Sequence, residues 1–326
     1  MAKTTELIHV IPQIGRVSMR LYEPADWLYG ILSSAGEIQR LSSLRQMGVL
    51  AGGPMEGARL ARWDYTAALI YYSEKFKIKK FNSSFNIGSI RFSSTNSALQ
   101  CVALAWNIGH LPGTFATEKG VYRYLRSVGG ESPIDALNWP LEDEKEVKII
   151  KYAANNYIKR YDYIGLSRVL SVNKLLRIAQ NNEQLLNFIV TVYSPLLFDY
   201  NRVYSVQTEK IRKAFSIIRH VSYLTIDSPF SGYQWNPNIP QMFEHFIQSS
   251  VDVESISEKL SEMLSPFEKI IYDDIYHHPE CRREVAIRSD MVFRKLAGST
   301  DAADEIERWM KYGLLACPND VVQREC

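Results

Sequence analysis

The sequence has few features that mark a chemistry on their own. Its 326 residues include four cysteines, Cys101, Cys281, Cys317 and Cys326, and no two of them form a CxxC pair. Such spacing favours reduced thiols in a cytoplasmic protein over a disulfide framework or a zinc site. No run of about eighteen apolar residues is present, and the N-terminal stretch lacks a basic region followed by a long apolar segment. We therefore expect neither a membrane span nor secretion.

An excess of charge of either sign is also missing. Lys and Arg number 38 against 36 Asp and Glu, so no general basic surface predicts nucleic-acid binding, although a local basic pocket is compatible with this balance. The Walker A, GxGxxG, HExxH and GxSxG patterns do not occur, which removes the commonest enzyme classes. Internal repeats and low-complexity tracts are absent as well.

What the sequence does contain is a strong helical period. Ile38, Leu41 and Leu44 share one helix face, and 58–76 and 96–109 predict longer helices. Further helices are expected at about 118–128, 143–156, 161–170, 173–181, 183–197, 199–220, 239–248, 253–277 and 301–313. Strand signals are limited to a short pairing near IHVIPQIG (8–15) and to 250–256. These patterns predict a mainly α protein with a helical domain at 1–225 and a helical C-terminal extension at 226–326.

Six blocks of sequence carry a resemblance to a known family. They are IQRLSSLRQMG (38–48), ARLARWDYTAAL (58–69), ALAWNIGHLP (103–112), TEKGVYRYL (117–125), KRYDYIG (159–165) and FDYNRVYSVQTEKIRKAF (198–215). In order and approximate spacing they resemble HD-domain deoxynucleoside triphosphate triphosphohydrolases. The resemblance implies a helical bundle that holds one divalent metal through a histidine, an adjacent His-Asp pair and a later aspartate.

All four implied metal-ligand positions are altered in this chain. They fall on Arg62, Trp106, Asn107 and Lys159. Arginine and an ammonium have no lone pair to give, and an indole offers only a donor. A unit charge roughly 4 Å from a dication costs on the order of 8 kcal/mol at an effective dielectric constant near 20. We therefore predict no metal centre of this family's type and no other cofactor.

The resemblance also implies changes among the catalytic and binding residues. The family's catalytic histidine falls on Thr117, whose hydroxyl does not titrate near neutral pH, whereas the supporting glutamate is kept as Glu118. Positions that match the nucleotide-binding lining are Gln46, Arg59, His110, Arg160 and Tyr163. The family's sugar-reading aspartate falls on Ser167, and a later phosphate-binding arginine falls near Leu196, so a preference for deoxyribose and for a full triphosphate is not implied.

The altered positions lead to a hypothesis about charge. Arg59, Arg62, Lys159 and Arg160 would form a cationic cluster that binds phosphate groups without hydrolysing them. The alternative is a relict cleft in which Asp64 and Asp162 neutralise these cations. For Trp106 the two interpretations are a core side chain that fills the volume of the lost metal and imidazole, or a platform on which a base stacks.

Together these observations predict a catalytically degenerate HD-domain protein. It would be a nucleotide- or phosphate-binding sensor or regulatory subunit in the cytoplasm, acting as a homo-oligomer or with an active HD-domain protein. One alternative is an active phosphohydrolase that uses other acids, with Glu56, Asp64, Glu118 and Asp162 as candidates; another is single-stranded nucleic-acid binding along a basic cleft. The stretch YDDIYHHPEC (272–281) places Asp and His four residues apart, as in some metal sites, but a helix that ends before Pro279 explains it more simply.

Overall fold

A computed structural model describes residues 5–48, 60–76, 83–198, 206–230, 238–249 and 252–312. In these segments the protein is mainly α-helical, and the only strands are two short antiparallel pairs. The chain divides into two compact units, both discontinuous in sequence. The first comprises 1–35, 63–104 and 203–278, and the second comprises 36–62, 105–202 and 279–326.

The first unit begins with a hairpin and is otherwise helical. Strands β1 (Thr5–Ile11) and β2 (Gly15–Leu21) pair from Thr5 opposite Leu21 to Ile11 opposite Gly15. The tight turn between them places Gln13 and Gly15 at positive φ. The unit also contains α1 (Ala25–Ser34), most of α3 (Arg62–Lys75), β3 (Phe85–Ile87), β4 (Ile90–Phe92), most of α4 (Thr95–Trp106), α9 (Val206–Asp227), α10 (Ile239–Ser249) and α11 (Val253–Ile271).

The described part of the second unit is mainly helical. It contains α2 (Glu37–Ser43), α5 (Phe115–Gly129), α6 (Lys145–Ile178), α7 (Glu183–Phe188), α8 (Ser194–Phe198), α12 (Pro279–Ala297) and α13 (Ala302–Tyr312). Gly120 lets α5 approach α12 closely, because a Cβ at this position would lie 2.6 Å from the Ser289 carbonyl oxygen. The same unit holds the last two residues of α4 and the turn that follows it, which is where most of the predicted site residues lie.

Helix α6 is broken near its middle. Asp162 has φ 50° and ψ −143°, which no α-helix contains, and the chain resumes its helical course on the far side. The sequence predicts three separate helices over this range, at 143–156, 161–170 and 173–181. The structure instead has one long element with a single break, because the apolar period continues through Val169, Leu176 and their neighbours.

Other sequence predictions have mixed outcomes. The mainly α fold is confirmed, as is the short pairing near 8–15. The strand at 250–256 is wrong, since α11 begins at Val253 and the Asp252 side chain accepts a hydrogen bond from the Ser255 backbone N–H at 2.7 Å. A side-chain cap of this kind starts a helix. The boundary predicted at 225 falls within α9. Among the described residues, no helix combines the length and the apolar character that crossing a membrane requires.

Candidate functional site

The turn after α4 is fixed by side chains from distant parts of the second unit. A helix end leaves backbone carbonyls without partners. Here the Ala105 carbonyl accepts hydrogen bonds from Ser171 Oγ at 3.0 Å and Tyr193 Oη at 2.9 Å, and the Trp106 carbonyl accepts one from Arg168 at 2.8 Å. These hydrogen bonds therefore fix the backbone of the turn at Ala105 and Trp106.

Gly109 and Arg40 complete this arrangement. A Cβ on Gly109 would overlap the backbone of Ser167 and Ser171, so only glycine permits the turn to lie this close to α6. Arg40 donates to the carbonyls of Ile108 and His110, the latter at 2.8 Å. The IGH sequence is thus held from both sides, which positions the imidazole of His110.

A buried histidine and glutamate form the centre of the site. His110 Nδ1 lies 2.6 Å from Glu118 Oε1, and both side chains are buried. Burial, followed by the charge of Arg62, lowers the pKa of His110 to about 3, although Glu118 opposes this shift. Burial alone would raise the pKa of Glu118, but His110, Arg62 and Arg168 outweigh it and lower that pKa. Near neutral pH, a neutral His110 therefore donates its Nδ1–H to an ionised Glu118, which leaves Nε2 as an acceptor.

Two arginines act on this pair. Arg62 begins α3, is buried, and its Cζ lies 5.8 Å from the centroid of the Phe115 ring at the start of α5. Arg168 projects from α6 and lies over Trp106, with Cζ 3.8 Å from the centroid of the indole ring. The charges of both arginines lower the pKa of Glu118, so they lie within electrostatic reach of the same carboxylate.

The N-terminal turn of α5 adds buried polar groups. Thr114 precedes the helix with φ 39° and ψ −111° and makes no side-chain capping bond, and Thr117 lies in the first turn. Both threonines are fully buried, and within the described segments neither hydroxyl has a hydrogen-bond partner. Gln46 Oε1 is a third buried oxygen with the same property. Burying such a group without a partner costs about 1–3 kcal/mol, so these atoms are suited to meeting a bound polar group.

The structure brings together some of the predicted residues and separates others. Arg62, His110 and Glu118 are joined by the electrostatic contacts above, with Trp106 linked through Arg168. Lys159 and Arg160 lie at the surface, where Arg160 packs over Tyr161 with Cζ 5.3 Å from the ring centroid. Tyr163 is half-buried, with Lys119 Nζ 5.7 Å from its ring centroid. Arg59 and Glu56 lie outside the described residues.

The remaining candidate positions are buried in the protein or contact other protein side chains. Asn107 is buried, and its backbone carbonyl accepts a hydrogen bond from the His110 backbone N–H at 3.1 Å. Ser167 is buried beside Arg168, and Leu196 is buried in α8. Asp162 accepts a hydrogen bond from Tyr122 Oη at 2.7 Å. Asp64 belongs to the first unit, where it contacts His9 Nε2 at 2.8 Å.

Sequence reasoning missed a second buried charged group that supports the turn. Glu37 accepts from Arg40 Nε at 2.9 Å and from Lys174 Nζ at 2.8 Å. Lys174 also donates to the Met310 carbonyl of α13. Burial, then the charge of Arg40, lowers the pKa of Lys174 to about 7. The two ends of this network, Arg40 at the IGH turn and Lys174 at α13, are thereby linked through one carboxylate.

The residues present do not fit the metal that the family resemblance implies. A guanidinium at 62, an indole at 106 and an ammonium at 159 offer no lone pair to a cation. Throughout the described residues, no three His, Cys, Asp or Glu side chains are grouped so that they could hold a metal ion. In the 272–281 stretch, His277 Nδ1 lies 3.6 Å from Asp273 Oδ1 at the surface, and the helical run ends before Pro279, which begins α12.

Comparisons with known proteins leave the site to be interpreted from its own chemistry. The sequence matches no protein family, no curated protein and no solved structure. The fold and the site define a mainly α protein that contains a buried His–Glu pair within electrostatic reach of two arginines.

Proposed function

We propose that this protein is a non-catalytic phosphate-binding module, a sensor or regulatory subunit whose ligand is a nucleotide or another phosphate-bearing small molecule. The observation that carries the proposal is that Arg62, which lies over Phe115 at the start of α5, and Arg168, which donates to the Trp106 carbonyl, both act electrostatically on the buried pair of His110 and Glu118. Arginine is the side chain that binds phosphate most often through paired N–H groups, because its planar guanidinium matches two phosphate oxygens.

The N-terminal turn of α5 supports the same ligand class. Backbone N–H groups and the helix dipole at such a terminus favour an anion. The buried hydroxyls of Thr114 and Thr117 lie in this turn and can each donate to a phosphate oxygen. Trp106, in contact with Arg168, offers an aromatic surface next to the arginine. This surface is the part of the site that suits a nucleobase better than an inorganic ion.

Loss of hydrolysis is part of the proposal. The chemistry of phosphate-ester hydrolysis needs an activated water, which the HD-domain class obtains from its metal. Here the corresponding positions carry Arg62, Trp106, Asn107 and Lys159, and a threonine, Thr117, stands where a proton-transfer group is required. We propose on this basis that the chain is a degenerate relative of the HD-domain triphosphohydrolases. We further propose that it works in the cytoplasm, as a homo-oligomer or with an active HD-domain protein.

A thermal-shift screen tests this function. The full-length protein is heated in EDTA with inorganic phosphate, pyrophosphate, and deoxy- and ribonucleoside triphosphates at millimolar concentration. A ligand present at 100 times its Kd stabilises the folded state by about 2.7 kcal/mol, which raises Tm measurably. We expect at least one phosphate compound to raise Tm without releasing phosphate over hours. Hydrolysis that requires Mn²⁺, or the absence of any shift with every compound, would overturn the proposal.

A further inference from the structure

The N-terminal hairpin has one edge that other described parts of the chain cover. In β2, the Arg20 backbone N–H donates to Glu74 Oε2 at 3.2 Å, and the Arg20 carbonyl accepts from Gln100 Nε2 at 2.7 Å. The Tyr22 backbone N–H, just beyond the strand, donates to Gln100 Oε1 at 3.0 Å. Side chains of α3 and α4 therefore satisfy the edge of β2 that faces away from β1.

The strand register identifies the matching groups on the other edge. Residues opposite each other in an antiparallel pair alternate between exchanging both backbone hydrogen bonds and pointing both groups away from each other. Because both backbone groups of Arg20 point outward, those of its partner Glu6 do so too. The same two-residue period makes the groups of Ile8 and Val10 point outward. No hydrogen bond joins these backbone groups to another described part of the chain. We call this row the open edge of β1.

The side chains along the open edge are exposed and mainly apolar. Ile8 and Val10 are 60% and 64% exposed, whereas Met19 and Leu21 on the opposite face of β2 are fully buried. β1 contains neither Lys nor Pro, and its pairing with β2 has no bulge. Such features are the devices that prevent an edge strand from pairing with another chain. The open edge is therefore a template for one more strand.

We infer that the open edge pairs with the open edge of a second copy of this chain, so that two hairpins form one four-stranded sheet across a two-fold axis. An antiparallel pairing centred on Ile8 places this residue opposite Ile8 of the second copy. Glu6 then lies opposite Val10 of the second copy, and the two-fold axis repeats this contact. The three outward-pointing residues each exchange two backbone bonds, which gives about six hydrogen bonds between the strands.

The charges on the exposed face suit this pairing. Within one hairpin, Arg20 lies opposite Glu6 and Arg16 lies opposite Val10. Across the paired sheet, Glu6 would therefore have its own Arg20 on one side and, two strands away on the other, Arg16 of the second copy. The two backbones are then about 10 Å apart, within the combined reach of the two side chains. Like charges are not opposite each other at the new contact, and the Ile8 pair is apolar.

This inference deepens the homo-oligomer part of the proposed function and uses none of the phosphate-site residues. Self-association and phosphate binding can therefore fail separately, the first in sedimentation and the second in the thermal-shift screen. A contact made by one strand edge is small, so we expect a dimer with a Kd in roughly the micromolar range.

Sedimentation velocity of the full-length protein between about 5 and 200 μM tests the interface. Ile8→Lys puts two ammonium groups opposite each other and should raise the dimer Kd at least about tenfold. Because Ile8 is exposed, the variant should keep the wild-type Tm at the lowest concentration. The matched control is Ile287→Lys, which changes an exposed isoleucine of α12 and should leave the Kd unchanged.

A charge exchange tests the position of the two-fold axis. Ile8→Glu alone should weaken association as Ile8→Lys does, whereas an equimolar mixture of the two variants should associate, because opposite charges then face each other. This rescue requires the two residues at position 8 to be opposite each other. The inference is overturned if the wild-type protein is monomeric at about 200 μM, if Ile8→Lys associates as tightly as the wild type, or if the mixture does not associate.

Discussion

His110 and Glu118, eight residues apart, face each other across the turn that joins α4 to α5, with Nδ1 of the imidazole 2.6 Å from Oε1 of the carboxylate. Both groups are buried, and both have a lowered pKa. The pair is therefore a neutral imidazole donating to a carboxylate, placed where two arginines act on it. Its energetics can be tested by mutation and by pH.

Replacement of Glu118 by glutamine should destabilise the fold. Glutamine keeps the shape but removes the charge that accepts from His110 and faces Arg62 and Arg168. Hydrogen bonds to charged groups contribute about 1.5–3 kcal/mol, so the free energy of unfolding in urea should fall by about 2 kcal/mol. The control, Glu131→Gln, changes an exposed glutamate and should alter the unfolding free energy by less than about 0.5 kcal/mol. Equal effects of the two variants on the unfolding free energy would show that Glu118 is not a buried carboxylate bonded to His110.

The pKa of His110 predicts a pH dependence of stability. The folded-state pKa is about 3, below the ordinary value of 6.5, so the unfolded chain binds more protons between these values. The stabilisation from a neutral His110 is complete above pH 6.5 and is lost as pH falls toward 3. Between pH 4 and 6, His110→Gln should reduce the slope of unfolding free energy against pH by up to about 1.4 kcal/mol per pH unit. An unchanged slope would show that the imidazole is solvated.

Lys174 predicts a second pH dependence at a higher range. Its folded-state pKa is about 7, compared with 10.5 for an ordinary lysine. Its contribution is therefore lost as pH falls from 10.5 toward 7, and stability should rise with pH across this range. Lys174→Met should flatten that rise, while Arg40 continues to hold Glu37. The measurement is urea unfolding at pH 7–9.5. The matched control is Lys148→Met, at an exposed position, which should leave the dependence of the unfolding free energy on pH unchanged.

Gly109 should tolerate no side chain. A Cβ there would overlap the backbone of Ser167 and Ser171, so Gly109→Ala must push the turn away from α6. Overpacking typically costs 1–3 kcal/mol, and a clash with backbone belongs at the upper end, about 3 kcal/mol. Gly30→Ala in α1 has open space around it and should be neutral or stabilise by up to about 1 kcal/mol. A mild effect of Gly109→Ala on Tm would mean that the turn is looser than described.

The extent to which these features follow from the sequence depends on how local they are. The hairpin at 5–21 and the helical class are visible in apolar spacing and turn residues. The helix predicted at 253–277 begins at Val253, as expected, but the overlapping strand predicted at 250–256 is wrong, because the alternation of Val251 and Val253 is local and Asp252 caps a helix there. The β3–β4 pair was missed because each strand has only three residues.

The site residues also differ in how far the sequence alone could predict them. His110 and Glu118 are near neighbours in sequence, so the motif around them identified both. Arg168 reaches Trp106 from 62 residues away, and Lys174 reaches Met310 from 136 residues away. No spacing rule connects such positions, since the approach of α6 to the turn depends on tertiary packing at Gly109. Lys159 and Arg160 were grouped with Arg62 by motif order, whereas burial places Arg62 inside and the other two at the surface.

Isothermal titration calorimetry of the wild-type protein and of Arg168→Lys, in EDTA, with the phosphate compound that raises Tm most, tests whether the arginine site binds phosphate without metal. Lysine keeps the charge but loses the planar group that lies over Trp106 and donates to its carbonyl. We predict metal-independent binding near one ligand per chain, weakened at least about tenfold by Arg168→Lys, which corresponds to about 1.4 kcal/mol. Binding that appears only with added Mn²⁺, or that is equal in the two proteins, would contradict a metal-free phosphate site at Arg168.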